Sequence, residues 1–275
     1  MFSVVFPGQG SQSVGMASNL YNKYNYIKDL FNKADDVLGQ SLSKLILEGP
    51  IDELNQTQNT QPAIFLVSYS IFEMIKRESN INLDDIKYFA GHSLGEYSAL
   101  ACAEAINFTD TIKLLKIRGK AMQNSVPKNE GGMVAVLGIE VDKINEIFEN
   151  NFENFKCYLA NDNSNGQIVI SGKNNDLNKL IYELKKLNIK NIKLPVSAPF
   201  HCDLMKPATD VMKKEITNTK FSKSKNLVIS NVNAKPSNDP EIIKNLLVEQ
   251  IEKPVRWRES ILNMINAGNK IFIEI

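Results

Sequence analysis

One segment in the first half of the chain joins a short apolar run to a glycine-flanked serine. Ile86 to Ala90 has the composition of a buried strand, the letters GHSLG follow at once, and a run of small residues comes next. A strand, Gly-x-Ser-x-Gly and a helix together predict a sharp turn that lifts the serine hydroxyl into the open. Gly91 and Gly95 lack the Cβ atoms that would crowd such a turn. The segment therefore predicts an α/β fold with Ser93 as a nucleophile, rather than a serine that only caps a helix.

The bulk composition excludes several classes of protein. The 275 residues, 43% of them hydrophobic, suffice for one large α/β domain or two smaller ones. With 32 basic and 31 acidic side chains the net charge is +1, which gives no general attraction to nucleic acid or to an anionic membrane. No window of eighteen apolar residues occurs, so we expect no membrane-spanning helix.

The cysteines and the N-terminus indicate the compartment. Cys102, Cys157 and Cys202 are scattered, without the paired spacing of a zinc site or a redox motif, and they favour a reducing environment. The first residues lack the basic region and the longer apolar stretch of a signal peptide. We therefore expect a cytoplasmic protein with no bound metal.

Residues 125–195 form a unit of their own in the pattern of apolar residues. MVAVLG, CYLA and QIVIS are predicted strands, with the turn-rich NDNSNG between the last two, and Ile192, Leu194 and Val196 alternate as a fourth. Apolar residues at helical spacing predict two helices in the same segment. The first contains Val141, Ile144, Phe148 and Phe152, and the second contains Leu177, Leu180, Ile181 and Leu184. The order strand, helix, strand, strand, helix, strand is ferredoxin-like. We predict this small subdomain to be inserted into a large catalytic domain formed by 1–124 and 196–275.

Two helices of the large domain follow from local signals. Proline is tolerated in the first turn of a helix, so Pro62 is predicted to begin one over AIFLVSYSIFEMIK. A second helix is predicted from near Thr109, with Leu115, Gly119 and Arg118 on one stripe. A guanidinium that faces inward needs an anion, which is either an internal salt bridge or a substrate carboxylate gripped bidentately.

A nucleophilic serine needs a base and an oxyanion site. The chain has two histidines; His92 adjoins Ser93 and should point elsewhere, which leaves His201 as the base. Oxyanion donors are expected from the backbone N–H of Leu94 and from the PGQGSQ loop, where Gln9 lies between two glycines. That loop lacks the Gly-x-Gly-x-x-Gly and Gly-Lys-Ser/Thr patterns of phosphate loops.

Seven separated motifs together resemble one known family. FPGQGSQ, NTQPA, AGHSLGEYSAL, RGKAMQ, NSNGQIVISG, VSAPFHC and EQIEKPVRW occur in the order found in the malonyl-CoA:acyl carrier protein transacylases of type II fatty acid synthesis. The resemblance covers essentially the whole chain. It implies a hydrolase-like parallel-sheet domain that carries a ferredoxin-like subdomain, in agreement with the organisation derived above.

The resemblance also implies roles for individual residues. Ser93 resembles the acylated nucleophile, His201 its base and Arg118 the partner of the malonyl carboxylate, with Gln9 and Leu94 as the oxyanion hole.

Two further positions match the family more weakly. Gln250 resembles the position whose backbone carbonyl orients the histidine, although its own sequence context also suits a surface residue. Phe200 matches the form associated with malonyl rather than methylmalonyl selectivity.

The implied activity is transfer of malonyl from malonyl-CoA to the phosphopantetheine thiol of acyl carrier protein, through a malonyl ester on Ser93. CoA and phosphopantetheine would enter as parts of the substrates, with no metal or redox cofactor and no nucleic-acid or membrane partner. We expect a monomer, and an acidic carrier protein that docks on Lys185 and Lys186 or on the stretch 220–225.

Two alternatives stay open on the sequence. A serine hydrolase or thioesterase would use the same serine and histidine with water as acceptor. A truncated, non-catalytic carrier-binding module is the second, because the family continues past its last strand with a Gly-Pro-Gly turn and further helices, whereas this chain stops at IFIEI. We expect that ending to leave part of the core uncovered and to lower stability and activity.

Overall fold

A computed structural model describes residues 1–151, 153–196 and 198–275; Phe152, one of the predicted helical positions, lies outside them. The helices are α1 (Ser18–Lys23), α2 (Asn25–Leu38), α3 (Leu42–Glu48), α4 (Ile51–Leu54), α5 (Thr57–Glu78), α6 (Gly95–Cys102), α7 (Phe108–Asn124), α8 (Val141–Asn150), α9 (Asn174–Lys186), α10 (Lys206–Asn218), α11 (Pro240–Glu249) and α12 (Trp257–Asn266). The strands are β1 (Phe2–Phe6), β2 (Ile86–Gly91), β3 (Gly131–Leu137), β4 (Cys157–Ser164), β5 (Gln167–Lys173), β6 (Lys190–Lys193), β7 (Leu227–Ile229), β8 (Pro236–Ser237) and β9 (Phe272–Glu274).

The larger sheet has the strand order β8-β7-β2-β1-β9, parallel except for the edge strand β8. Its strands β1 and β2 are mostly apolar, and all their residues except Lys87 are buried, because helices cover both faces of such a sheet. Phe6 pairs with Gly91, so the carboxyl ends of β1 and β2 lie side by side. The PGQGSQ loop and the GHSLG turn therefore meet at one edge, where open α/β sheets bind ligands.

The smaller sheet is antiparallel, in the order β4-β5-β3-β6, and its strands lie within the predicted segment 125–195. Val134, Val136 and Ile170 point from it toward α8 and α9 and form a separate core with them. Met133 and Val169 point the other way and join the main core of the molecule. This alternation follows from the two-residue period of a strand. It turns one face of the subdomain toward the large domain.

The subdomain differs in two places from the sequence prediction. NDNSNG is not all turn, because β4 continues to Ser164 and the reversal uses only residues 165–166. The polar positions of β4 have partners outside the subdomain: Asp162 binds Arg258. The predicted alternation through Val196 is also wrong, because β6 ends at Lys193.

Helix α5 corrects a second prediction. It begins at Thr57, so Pro62 lies inside the helix rather than at its start. Tertiary packing decides this: a Cβ at Gly119 of α7 would lie 2.4 Å from the Thr57 carbonyl oxygen, so the first turn of α5 packs directly on α7. The predicted buried stripe of α7 is confirmed, since Leu115, Arg118 and Gly119 are all buried. Among the described residues, no helix combines the length and the apolar content needed to cross a bilayer.

Candidate active site

The turn after β2 holds Ser93 in the left-handed region, at φ 53°. A non-glycine residue there is strained and needs support from its surroundings. Gly91 and Gly95 permit the turn, because a Cβ at Gly91 would lie 1.9 Å from the Gly95 carbonyl oxygen and one at Gly95 would lie 2.7 Å from the carbonyl oxygen of Phe6. The Ser93 backbone N–H donates to Oδ1 of Asn231 at 2.7 Å. The two glycines and the hydrogen bond to Asn231 together thus fix the backbone conformation of Ser93.

The hydroxyl of Ser93 lies 2.8 Å from Nε2 of His201. On the other side of the ring, Nδ1 of His201 lies 2.8 Å from the backbone carbonyl oxygen of Gln250. An Nδ1–H that donates to this carbonyl leaves the lone pair of Nε2 directed at the hydroxyl. Gln250 is buried at the end of α11, so it is not the surface residue that its local sequence also allowed.

Burial, and after it the positive charge of Arg118, lower the pKa of His201 to about 3. The Gln250 carbonyl opposes both effects. The imidazole is therefore neutral near pH 7, which is the form that accepts a proton from a hydroxyl.

Arg118 is fully buried and its guanidinium touches neutral oxygens. Nη2 donates to the Ser93 hydroxyl at 3.1 Å and to Oε1 of Gln250 at 2.8 Å, while Nη1 donates to Oε1 of Gln61 at 2.9 Å. Its Cζ lies 5.6 Å from the centroid of the Tyr97 ring. Within the described ranges no carboxylate forms an ion pair with it, so the internal salt bridge is not what satisfies this arginine. A buried cation without a counter-ion next to a nucleophile favours an anionic ligand.

A buried acid lies behind this arrangement. Nε2 of Gln250 donates to Oε2 of Glu96 at 2.7 Å and to the Ser93 carbonyl at 3.1 Å. The same Glu96 oxygen accepts the backbone N–H of Asn231 at 2.9 Å. Burial raises the pKa of Glu96 to about 7. Because Glu96 takes the N–H end of the Gln250 amide, the carbonyl end is left for Arg118.

A cavity of about 150 Å³ is lined by Ser93, His201 and Arg118, among others. Gln9 and Leu94 line it, and in the described part of the chain neither backbone N–H is used in another hydrogen bond. The remaining wall is mostly apolar and comes from both domains: Met122, Met133, Val169, Leu194, Val196 and Phe200. The cavity is thus lined by two residues whose backbone N–H groups form no other hydrogen bond among the described residues, and by an apolar wall that suits an acyl chain.

The second histidine, His92, makes contacts that hold the wall of the cavity together. Nε2 of His92 lies 2.9 Å from Oδ1 of Asn163 in β4, and its ring meets Trp257 edge-on at 5.7 Å between centroids. His92 thus points away from the Ser93 hydroxyl and ties the nucleophile turn to the small subdomain.

Of the six residues singled out from the sequence, Gln250 lies behind the cavity in contact with His201 and Arg118, and the other five line it: Ser93, His201, Arg118, Gln9 and Leu94. Sequence reasoning missed Gln61, Glu96, Asn231 and Asn163. A carboxylate directly after GHSLG, in a helix whose other residues are apolar or small, was a usable signal for Glu96. Gln61 and Asn163 lie within the quoted motifs NTQPA and NSNGQIVISG, which did not single them out, and no local pattern marks Asn231.

A serine on a strained turn, a neutral imidazole and two free N–H donors define a serine-dependent acyl-transfer enzyme. The model of the acyl transferase domain matches residues 3–275, and the chain is an acyltransferase. It belongs to the family of malonyl CoA-acyl carrier protein transacylases, as the following relatives show.

The "Malonyl CoA-acyl carrier protein transacylase" of Bacillus subtilis is 42% identical over 274 residues, which cover 98% of this chain and 85% of that protein. The crystal structure of the acyl-carrier-protein-S-malonyltransferase from Bartonella henselae is 40% identical, has a TM-score of 0.96, and is matched over 100% of this chain and 88% of that one. A malonyl-transacylase solved with its type II PKS acyl-carrier protein is 36% identical with a TM-score of 0.94, over 99% and 88% of the two chains. The predicted family and fold class are confirmed.

Proposed function

We propose that this acyltransferase moves a malonyl group from malonyl-CoA to the phosphopantetheine thiol of acyl carrier protein, as a step of fatty acid synthesis. The names of its relatives support both substrates. The observation that carries the proposal is the placement of one hydroxyl, that of Ser93, within hydrogen-bonding distance of both a neutral imidazole and a buried guanidinium.

In the first half-reaction the Ser93 oxygen attacks the thioester carbonyl carbon of malonyl-CoA, and Nε2 of His201 takes the hydroxyl proton. The backbone N–H groups of Gln9 and Leu94 receive the negative charge that develops on the carbonyl oxygen. The C–S bond then breaks, the CoA sulfur takes the proton from His201, and a malonyl ester of Ser93 remains.

The second half-reaction reverses the roles. The carrier thiol gives its proton to His201 and attacks the ester carbonyl; the C–O bond breaks and the Ser93 oxygen regains the proton. The exchange needs neither a metal nor a redox cofactor, because the side chains and the thiol supply every proton and electron pair. Two chemical steps through one covalent intermediate predict ping-pong kinetics.

Arg118 is proposed to bind the free carboxylate of the malonyl group. Without such an anion the guanidinium stays buried and uncompensated, which costs roughly 3–5 kcal/mol. Discrimination against an acetyl group could therefore reach roughly a hundredfold to a thousandfold. A bound carboxylate would also offset the positive charge that helps to hold the pKa of His201 low, and so strengthen the base when the right substrate is present.

A monomer in the cytoplasm remains our prediction. The three cysteines are free, which supports a reducing compartment. For the carrier, Lys186 and Lys225 already pair with Glu183 and Asp84. Each pair neutralises one lysine, so both lysine stretches stay candidate docking sites but carry little net positive charge.

The test is intact-mass measurement after incubation with malonyl-CoA. We expect a single malonyl adduct on the unmodified enzyme, no adduct on Ser93→Ala, and a carrier that becomes malonylated only with the unmodified enzyme. An adduct that persists in Ser93→Ala would overturn the assignment of the nucleophile. Release of free malonate in place of malonyl-carrier would favour a hydrolase, and carrier binding without any adduct would favour a non-catalytic module.

A further inference from the structure

Two glutamine side chains set the position of the guanidinium that the proposed function assigns to the malonyl carboxylate. Oε1 of Gln250 accepts from Nη2 of Arg118 at 2.8 Å, and Oε1 of Gln61 accepts from Nη1 at 2.9 Å. Each terminal nitrogen of the guanidinium thus meets an amide oxygen, and the two oxygens together fix the direction of its planar fork. A site that grips a carboxylate bidentately depends on that direction.

The two amides differ in what holds their own orientation. An amide has an acceptor end and a donor end, so half a turn about its last bond would place an NH2 group against the guanidinium. Nε2 of Gln61 meets the sulfur of Met122 at 3.8 Å, which is a weak acceptor. Nε2 of Gln250 meets two oxygens, Oε2 of Glu96 at 2.7 Å and the Ser93 carbonyl at 3.1 Å. The orientation of the Gln250 amide is therefore the better fixed of the two, and Glu96 forms the shorter of these hydrogen bonds.

Glu96 is itself held at a fixed place in the fold. It is buried in the first turn of α6, directly after the nucleophile turn. Its Oε2 also accepts the backbone N–H of Asn231 at 2.9 Å, and Oδ1 of Asn231 accepts the Ser93 N–H at 2.7 Å. One carboxyl oxygen is thus the common acceptor for the residue that supports the nucleophile and for the amide that holds the guanidinium.

These contacts require an oxygen at a given reach more than they require a charge. Without the acid, one N–H of Gln250 and one of Asn231 would lose an acceptor in a buried place. The Oε2 atom can accept both whether or not the acid carries its proton, because that proton can reside on Oε1. Glu96 and Arg118 are therefore joined through one amide rather than by an ion pair.

We propose that Glu96 is a positioning residue for acyl selectivity: through the amide of Gln250 it holds Arg118 in the orientation that binds the malonyl carboxylate. The proposal rests on the proposed function and adds to it a residue that does not line the catalytic cavity. An acetyl group has no carboxylate to present to Arg118, so its transfer should not depend on this chain of contacts. The quantity that reports the role of Glu96 is the malonyl-to-acetyl ratio, which is kcat/KM for malonyl-CoA divided by kcat/KM for acetyl-CoA.

The first experiment separates the reach of the side chain from its charge. Glu96→Gln loses the charge but keeps an oxygen at the same reach, whereas Glu96→Asp keeps the charge and withdraws both oxygens by one methylene. We expect Glu96→Gln to keep the malonyl-to-acetyl ratio within about twofold and Glu96→Asp to lower it about tenfold, which corresponds to one hydrogen bond to a charged group. The reverse order, or an unchanged ratio in both variants, would overturn the proposal.

Leu100→Ala is the matched control for lost stability. Leu100 is buried in the same helix, one turn beyond Glu96, and packs in the main core. The cavity that this variant creates should lower the unfolding midpoint and leave the malonyl-to-acetyl ratio unchanged. A ratio that falls as much in Leu100→Ala as in Glu96→Asp would show that selectivity follows stability, and it would overturn the specific role of Glu96.

The second experiment tests whether Glu96 acts through Gln250. Gln250→Met removes both ends of the amide and keeps the backbone carbonyl that lies next to His201. In Glu96→Asp/Gln250→Met the malonyl-to-acetyl ratio should equal that of Gln250→Met alone, because the amide that transmits the effect is gone. Effects of the two substitutions that multiply would overturn the route through Gln250.

Intact-mass measurement on the unmodified enzyme separates these results from a failure of the proposed function. A malonyl adduct together with unchanged ratios in the Glu96 variants would overturn only the role of Glu96. The absence of any malonyl adduct would overturn the proposed function and this role with it.

Discussion

The two sheets of the molecule contribute to the site in different ways. The larger sheet presents the nucleophile turn at the carboxyl end of β2, and Arg118 and Gln250 lie on helices of the same domain. The smaller sheet contributes one face, with Met133 and Val169 as wall and Asn163 as a hydrogen-bond partner of His92. Reacting groups thus belong to the large domain, and the small subdomain supplies only part of the wall. Substitutions in the first should change kcat, and substitutions in the second should change KM.

The largest expected effect is that of His201→Asn. Asparagine tolerates the left-handed backbone that His201 adopts at φ 58°, so the loop should keep its shape. Loss of the base should lower kcat/KM for malonyl-CoA about 10³-fold. The unfolding midpoint, measured on the same preparation, serves as the control for folding. Near-normal turnover by a folded variant would show that His201 is not the base.

Arg118→Lys should have the next largest effect. Lysine keeps the charge but not the planar fork that holds a carboxylate bidentately. We expect kcat/KM for malonyl-CoA to fall about a hundredfold while the value for acetyl-CoA changes little, so that the ratio of the two narrows. Arg77→Lys is the matched control, because Arg77 is an exposed residue of α5 that pairs with Glu73. An unchanged malonyl-to-acetyl ratio would contradict carboxylate binding by Arg118.

Glu96→Gln should change how the stability of the protein depends on pH. Because the pKa of Glu96 in the fold is raised to about 7, its protonated form stabilises the native state fully below the ordinary pKa of 4.5, and that contribution is lost as pH rises through 7. The shift corresponds to about 3 kcal/mol. Denaturant unfolding should show a stability that changes little between about pH 5 and 6.5 in the unmodified enzyme, because the contributions of Glu96 and His201 oppose each other there, and a stability that rises with pH over the same range in the variant. Parallel profiles would contradict the raised pKa.

His201 gives the opposite sign at lower pH. Its pKa in the fold is lowered to about 3 from the ordinary 6.5, so the stability that its neutral form provides is present above 6.5 and is lost as pH falls toward 3. Glu96→Gln should leave this acid limb in place, which makes it an internal control.

Arg258→Met should have the smallest effect. It tests directly whether substitutions that affect the small subdomain change KM rather than kcat. Nε of Arg258 lies 3.0 Å from both carboxylate oxygens of Asp162, a pair that fixes β4 to α12. Such a partly exposed pair contributes at most about 1 kcal/mol. KM for malonyl-CoA should rise a few-fold with kcat unchanged, whereas Lys143→Met, which removes an ion pair within α8, should change neither. A large fall in kcat would show that the small subdomain also governs the chemistry.

The parts of the fold that could be predicted from the sequence are those with local causes. Glycine spacing predicted the turn at Ser93, and the spacing of apolar residues predicted both helices of the subdomain and the order of its elements along the chain. The wrong predictions concern segments whose structure depends on contacts with residues distant in sequence. The start of α5 depends on Gly119 of α7, and the polar end of β4 depends on Arg258.

The same distinction applies to the site. Ser93, His201 and Arg118 could be predicted because their residue types are chemically unusual in their surroundings. Asn231 could not, since it acts on the Ser93 backbone across 138 positions of sequence and an asparagine in a loop is unremarkable there. The roles of Gln9 and Leu94 as oxyanion donors stay predictions.

The position of β1 has a consequence for synthesis of the chain. Residues 3–5 pair on one side with β2 and on the other with residues 272–274, so the larger sheet is completed only when the last strand has left the ribosome. The small subdomain is continuous from β3 to β6 and can form while that strand is still untranslated. Because Ser93 is made more than a hundred residues before His201 and Gln250, an emerging chain carries the proposed nucleophile without its proposed base. Acylation of a nascent chain is therefore postponed until the domain that surrounds the serine is nearly whole.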